Sequence, residues 1–375
     1  MSLLFDLTAS QPNDSGKRHG GGKYCEMLFF ALCEKGYEFK TFHDSSRYIN
    51  PKILDFIKDY HIKNFDITKH EIQDIVSKEG ITHLYSALPE QILPWPNCTI
   101  LGTIHGLRSY ELPNDLFSYW QFDLGIIGLN SFIKFKSYHR IKKHIQQYYL
   151  NLLQKPNFHF VTDSEHSKKV IQQFAPQKEI PVFYPPSTIN STATCKQEKP
   201  YFLLVSANRP EKNCIRAIIA LDRLYQNNKI PKDIKVNITG LTAPTFRYKL
   251  KNQHQFNFLG YVNETELTSL YANSWCLIYP SLNEGFGYPP LEAMRYGVPV
   301  IASNAASIPE VCGESALYIN PRSIRDMENK ILQITDPSIR RKISTNGITR
   351  FKFISQRQDN DTQKLIEWII KKSET

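Results

Sequence analysis

Two short apolar runs, 275–279 and 298–302, bracket a Gly- and Pro-rich loop that ends in a helix start. This order constrains the fold more than any other feature of the chain, because it reads as strand, loop, short helix, strand in a parallel sheet. The loop, Glu284-Gly-Phe-Gly-Tyr-Pro-Pro-Leu-Glu292, sets two carboxylates on either side of a Gly-Phe-Gly turn and a proline pair. Pro289 and Pro290 suit a first helical turn, which has no use for their missing N–H groups. Glycines let backbone N–H groups approach a ligand closely, and a helix start just after them favours an anion. In an open α/β sheet such a loop lies at the carboxyl end of a strand, where ligands bind.

At 375 residues the chain exceeds what one hydrophobic core usually supports, so two domains of about 150–200 residues are expected. An apolar fraction of 41% with 22% charged residues fits an ordinary soluble globular protein and excludes collagenous and low-complexity classes. The formal net charge of +10 suits an anionic partner: nucleotide phosphates, an acidic membrane surface or nucleic acid. Seven cysteines, odd in number and without a Cys-x-x-Cys pair, argue against a disulfide framework or a structural zinc site. Reduced thiols in a cytoplasmic protein are the expectation. The first residues show no basic leader, which argues against a signal peptide, and no run approaches the ~20 apolar residues that span a bilayer.

Strands are predicted over 3–8, 39–43, 82–87, 99–104, 158–162 and 181–184, with helical patterns over 23–35, 50–60, 70–78 and 165–174. This alternation predicts a parallel sheet covered by helices. Residues 187–199, polar and without periodicity, read as a linker between a first domain (1–186) and a second (200–355). The second series has strands over 202–206, 236–239 and 256–259 and helices over 214–224 and 264–273, leading to the 275–279 run. A last helix over 363–372 falls in a segment, 356–375, expected to pack back on the first domain. Neither domain opens with Gly-x-Gly-x-x-Gly, which weakens a nicotinamide-enzyme reading.

Several clusters carry chemistry. Ser206-Ala-Asn-Arg209-Pro-Glu-Lys212-Asn213 follows a strand and enters a helix, so the Arg209 fork and the Lys212 point charge form a sensible grip for a diphosphate. From the residues alone a solvated basic turn explains it equally. Glu284 and Glu292 can accept hydrogen bonds from sugar hydroxyls or transfer protons, and Glu292 also reads as a helix-start charge. His19-Gly-Gly-Gly-Lys-Tyr24 is a Gly-rich turn able to bind anions. His105, in Thr103-Ile-His-Gly-Leu107, stands at the end of an apolar strand.

Taken jointly, Glu284 and Glu292 with seven residues between them resemble the E-x7-E signature of retaining glycosyltransferases of family four. The Arg209-Pro-Glu-Lys-Asn213 turn, Ser307-Ile-Pro-Glu-Val-Cys-Gly313 and Ala316-Leu-Tyr-Ile-Asn-Pro321 are similar to that family as well. The resemblance implies the GT-B architecture, two Rossmann-like doubly wound α/β domains facing across a cleft, and a nucleotide-diphosphate sugar as donor. It implies that Arg209 and Lys212 bind the diphosphate and that Glu284 contacts the transferred hexose, with the Phe286 and Gly287 amides beside it. Glu292, next to Leu291, would hold the ribose, and the segment with Tyr261 and Val262 would border the base. Gly21 and Gly22 correspond to the family's Gly-rich loop near the donor phosphates, and His105 to a histidine facing the sugar. The chain departs from the family at Tyr184-Pro-Pro-Ser187, where many members have Pro-Asn-Gly-Val. Retention in this family is assigned to front-face attack, with the leaving diphosphate receiving the acceptor proton, so no side-chain nucleophile and no metal ion is required.

Residues 131–150 are basic and aromatic without a single acid, and a helix of this kind can lie on an anionic leaflet. That points to a glycan or lipid-linked acceptor in bacterial surface-polysaccharide synthesis, at the inner face of the membrane; an ordinary helix with a solvated basic face is the plainer alternative. Two rival readings stay open: another GT-B enzyme such as a nucleotide-sugar epimerase, and a non-catalytic glycan- or nucleic-acid-binding protein. The Arg209, Lys212, Glu284 and Glu292 set argues for the transferase, for which no nucleic-acid partner is expected.

Overall fold

The computed structural model describes residues 2–12, 20–92, 94–112, 117, 129–187 and 200–375, with only the backbone of 129–139. The chain forms two compact units: residues 1–107, 145–188 and 356–375, and residues 108–144 and 189–355. The expected linker lies, from 188 onward, outside the described residues.

In the first unit β1 (Leu3–Asp6), β2 (Lys40–His43), β3 (Asn64–Asp66), β4 (His83–Ser86), β5 (Thr99–Ile104) and β6 (Phe158–Thr162) form a parallel sheet in the order β3-β2-β1-β4-β5-β6. The helices α1 (Gly20–Glu34), α2 (Pro51–Asp59), α3 (Ile72–Lys78), α4 (Arg108–Glu111), α5 (Leu129–Leu153) and α6 (Glu165–Gln172) follow in chain order, α4 being counted with the second unit. The second unit carries β7 (Tyr201–Leu204), β8 (Lys235–Thr239), β9 (Phe256–Gly260), β10 (Cys276–Tyr279), β11 (Val300–Ser303) and β12 (Ala316–Ile319), also parallel, in the order β12-β11-β10-β7-β8-β9. Its helices are α7 (Cys214–Gln226), α8 (Glu264–Asn273), α9 (Tyr288–Arg295), α10 (Ile308–Cys312), α11 (Ile324–Ile334) and α12 (Pro337–Ser373), the last running on into the first unit's residues. Counted within its own unit, each sheet has the doubly wound order 3-2-1-4-5-6.

The reasons are local. β1, β4, β7, β10 and β11 are buried at every position, as a sheet covered by helices on both faces demands. α8 starts on a reciprocal cap: Asn263 Oδ1 accepts from the Glu266 amide at 2.9 Å, and Glu266 Oε2 accepts from the Asn263 amide at 2.8 Å. Residues 356–375 group with the first unit because Leu365, Ile366 and Ile369 are buried in the core that holds Phe5, Phe29 and Tyr85. Each such side chain contributes about 1.5–3 kcal/mol by leaving water. Asp361 also accepts from the Tyr184 amide at 3.1 Å, and Gln358 donates to the Pro185 carbonyl at 2.7 Å.

Three features differ from the sequence expectations. β3 and β12 are additional strands, while 181–184 contributes one bridge, Thr162 to Val182, and no strand. The last helix spans 37 residues, far beyond 363–372. Residues 108–144, placed by sequence in the first domain, group with the second unit. Arg108 pairs with Glu211 at 3.1 Å and the Arg216 guanidinium lies 4.3 Å from the Phe117 ring centre, so the segment is held by charge and by stacking.

Candidate active site

β7 and β10 are neighbours from which the second sheet runs outward in opposite directions, so their carboxyl ends form the switch point at which doubly wound sheets bind ligands. The chain leaving β7 turns sharply through Ser206 (φ 57°) and a single 3-10 turn, Pro210–Lys212, into Asn213 (φ 56°), which opens α7. Asparagine tolerates this left-handed geometry because its side chain bonds locally. Here Asn213 Nδ2 donates to the carbonyls of Pro280 (2.9 Å) and Pro321 (2.6 Å), while Oδ1 accepts from Arg216 at 2.7 Å. The Leu282 amide donates to the Glu211 carbonyl at 2.8 Å. The basic turn and the loop after β10 are thus stapled together by their backbones.

That stapling brings Lys212 onto Glu284. Lys212 Nζ lies 2.6 Å from Glu284 Oε1 and 2.8 Å from the Tyr279 hydroxyl, and both charged residues are buried. Oε1 also accepts from Tyr279 (2.5 Å) and Ser281 (2.6 Å). Burial alone would push the Glu284 carboxyl up; the Lys212 ammonium and the hydrogen bonds of Lys212, Ser281 and Tyr279 outweigh it and hold the group below the usual carboxylate range. Glu284 is therefore an ionised acceptor and a poor proton donor. Tyr279 is driven well above the ordinary phenol value, first by burial and then by Glu284, so it stays a neutral donor.

Arg209 is half exposed and pairs with Glu211 at 2.6 Å. Glu211 Oε1 also takes Arg108, and burial of this carboxyl is outweighed by Arg209 and Arg108, which hold it low. One carboxylate therefore orients two guanidinium groups one residue from Lys212. Of the remaining second-unit candidates, Phe286 and Leu291 are buried, Glu292 and Val262 are half-buried, and Tyr261 is exposed. Gly287 has φ 116°, a conformation that side chains rarely adopt, and it leads straight into α9. Ser307 Oγ lies 2.9 Å from the Glu284 carbonyl and 2.7 Å from that of Phe286, fixing the turn from behind. Glu292 hydrogen-bonds the hydroxyl of Tyr271, which burial and then this carboxylate drive well up.

In the first unit His105 follows β5 and contacts Asp163, Ala87 and Tyr24. The Gly-rich turn differs from expectation. The helix already begins at Gly20, so Gly21 and Gly22 lie in the first turn of α1, and a side chain at 22 would meet the Ala9 carbonyl at 3.1 Å. His19 lies outside the described residues. Among the described residues no group of three or more His, Cys, Asp or Glu side chains could hold a metal ion.

Sequence reasoning missed Tyr279, Ser281, Glu211 and Asp163. Tyr279 was the last residue of a run read only as a strand, and its hydroxyl points at Glu284 because it sits at the strand's carboxyl end. Glu211 was read as part of a motif without a role.

Residues 189–350 match the family model of glycosyl transferases group 1. Among curated relatives, O-antigen chain mannosyltransferase B of Escherichia coli is 42% identical over 99 residues, 26% of each chain. O-antigen chain mannosyltransferase RfbU of Salmonella typhimurium is 30% identical over 181 residues, 46% of this chain and 48% of that one. The chain thus spans between a quarter and a half of the length of these two relatives. Among solved structures, WaaG, described as a glycosyltransferase involved in lipopolysaccharide biosynthesis, superposes with a TM-score of 0.68 at 13% identity over 98% of this chain and 99% of that one. HepE of Anabaena, solved with UDP and glucose, gives 0.64 at 15% identity over 99% and 100%. At this identity the likeness is one of fold, and the fold is GT-B.

Proposed function

We propose that the protein is a retaining glycosyltransferase of family four that moves a hexose-type sugar from a nucleotide-diphosphate donor to a glycan or lipid-linked acceptor in bacterial surface-polysaccharide assembly. The observation that carries this is the buried Lys212–Glu284 pair at the switch point of the second sheet, with Arg209 beside it. Lys212 has three N–H donors, two of them used by Glu284 and Tyr279, which leaves one for a phosphate oxygen. Arg209 and Lys212 would stabilise charge developing on the leaving diphosphate, and Glu284, ionised, would accept from a sugar hydroxyl. Glu292, further along α9, would take the ribose. The relatives named as O-antigen mannosyltransferases favour mannose as the sugar.

A thermal-shift screen against UDP, GDP, ADP and their sugars, followed by incubation with radiolabelled donors, tests the reading; tight RNA binding without any hydrolysis or transfer would sink it. Within it, Glu292→Ala is expected to weaken nucleotide binding about 10- to 100-fold, since a hydrogen bond to a charged group contributes ~1.5–3 kcal/mol. Titration calorimetry with the nucleoside diphosphate measures this, and unchanged affinity would remove Glu292 from the ribose.

The membrane reading rests on α5. Ile141 and Ile145, one turn apart, are exposed at 57% and 40%, and Arg140, Lys143 and His144 beside them are exposed too. No described helix is long and apolar enough to cross a membrane, so contact would be peripheral. At ~1 kcal/mol per basic residue, the double change Arg140→Gln, Lys143→Gln should lower partitioning onto anionic vesicles about 30-fold. Unchanged co-sedimentation would reject the surface.

A further inference from the structure

Both ring nitrogens of His105 face oxygen atoms, one of a carboxylate and one of a backbone carbonyl. Nδ1 lies 3.0 Å from Asp163 Oδ2 and Nε2 lies 3.1 Å from the Ala87 carbonyl oxygen. A neutral imidazole carries one N–H, so either neutral tautomer would turn a bare nitrogen lone pair onto an oxygen. With Asp163 ionised, only the doubly protonated ring satisfies both contacts. We infer that His105 is held as an imidazolium, a fixed cation clamped by Asp163 and Ala87, and that Asp163 is its positioning residue.

Three further observations bear on this. Asp163 is 3% exposed, and its second oxygen, Oδ1, is buried without a hydrogen-bond partner among the described residues. A buried carboxylate in that state needs a compensating charge, and the protonated ring supplies it. The clamp also follows from sheet register: β5 and β6 pair Ile104 with Thr162, so the next residue on each strand, His105 and Asp163, emerges side by side. Finally, the titratable groups packed around the ring favour the cation. Burial opposes protonation, but the Asp163 hydrogen bond and charge, the Glu90 charge from the turn after β4 and the Ala87 carbonyl outweigh it and raise His105 above the ordinary histidine value. Tyr24, from α1, meets the ring edge-on at 4.8 Å and is itself pushed far up by burial, so it stays neutral.

The consequence is that His105 does not shuttle protons. Both its N–H groups are committed, and it acts on any neighbouring anion through charge alone. Because the folded value is raised, the clamp contributes its full stability below about pH 6.5 and loses it as pH rises through the folded value.

The test is nitrogen-15 NMR of histidine-labelled full-length protein, with His105→Gln assigning the signal. The titration midpoint of His105 should lie above 6.5, with both ring nitrogens showing protonated shifts below it. Asp163→Asn should lower that midpoint by about one unit or more, which a residue with a merely structural role would not do. A midpoint at or below 6.5 in the unaltered protein overturns the inference, whatever the variant does. The measurement does not depend on transfer activity, so it stands or falls apart from the proposed reaction.

Discussion

Replacing Lys212 with Met should cost about 3–5 kcal/mol and abolish transfer, because it strands the Glu284 carboxylate in a buried site without its counter-charge. Tyr279 and Ser281 would still donate to Oε1, but two neutral donors do not replace an ammonium at 2.6 Å. Against the 5–15 kcal/mol typical of a domain, such a loss should be visible as a large drop in the denaturant midpoint. Glu284→Gln should also destabilise, since it leaves the buried Lys212 ammonium without its counter-charge, although the amide keeps the shape and still accepts from Lys212. The pair Lys212→Met, Glu284→Gln should recover much of the lost stability, as no buried charge remains, yet stay inactive. Activity should fall by at least ~10²–10³ in each single variant, the usual loss when one stabilising donor or acceptor leaves a preorganised site. Urea unfolding followed by circular dichroism, with a radiolabel transfer assay, separates the two effects. If Lys212→Met unfolded at the same midpoint as the parent protein, the pair would not be the charge-compensated unit described here.

Much of the fold was legible because buried strands of a parallel sheet are short apolar runs. Strands 99–104 and 158–162 have the bounds that their apolar runs predict, and α8 has those of its helical pattern. Edge elements were not. β3 is three half-buried residues, Asn64–Asp66, with no apolar signal to find. The sequence shows α12 only at its end, where Leu365, Ile366 and Ile369 are packed close together; in its earlier stretch the buried Ile343 and Ile354 stand far apart among polar residues, and Gly347 interrupts them. That glycine has a physical reason, since a side chain there would lie 3.2 Å from Met294 on α9. At the site, the motif residues were readable but their partners were not. Glu284 and Lys212 are 72 positions apart, and His105 and Asp163 are 58. Such pairs are set by strand order and register, which no local pattern encodes. The two glutamates, candidate acid and base from the residues alone, separate by environment: Glu284 is ionised with Oε1 taking Lys212, Tyr279 and Ser281, while Glu292 sits half-buried against Tyr271.

Gly240→Ala should disable the same site without touching any charged residue. Gly240 directly follows β8 with φ +93°, and a Cβ there would fall 2.5 Å from Asn208 Oδ1 and 3.0 and 3.1 Å from the amide nitrogens of Ala207 and Asn208. Those residues belong to the turn that carries Arg209 and Lys212. The turn is also tied to β8 by the Ala207 amide on the Thr239 carbonyl at 2.8 Å and the Ser206 amide on Thr239 Oγ1 at 3.0 Å. A flexible side chain can retreat from a methyl group, but backbone nitrogens in a turn tied down at Ser206 and Ala207 move only with the whole turn. The strained backbone costs about 1–3 kcal/mol, and a shift of the turn on the order of 1 Å is enough to lower kcat/KM ~10²-fold. Gly36→Ala is the matched control: its φ of +71° imposes similar strain, but nothing lies within 4 Å of the added methyl. Both variants should therefore lose stability, Gly240→Ala the more because of its close contacts, while only Gly240→Ala should lose donor binding and transfer. Equal activity in the two would mean that the turn yields freely, and that Arg209 and Lys212 are not held in place by the end of β8.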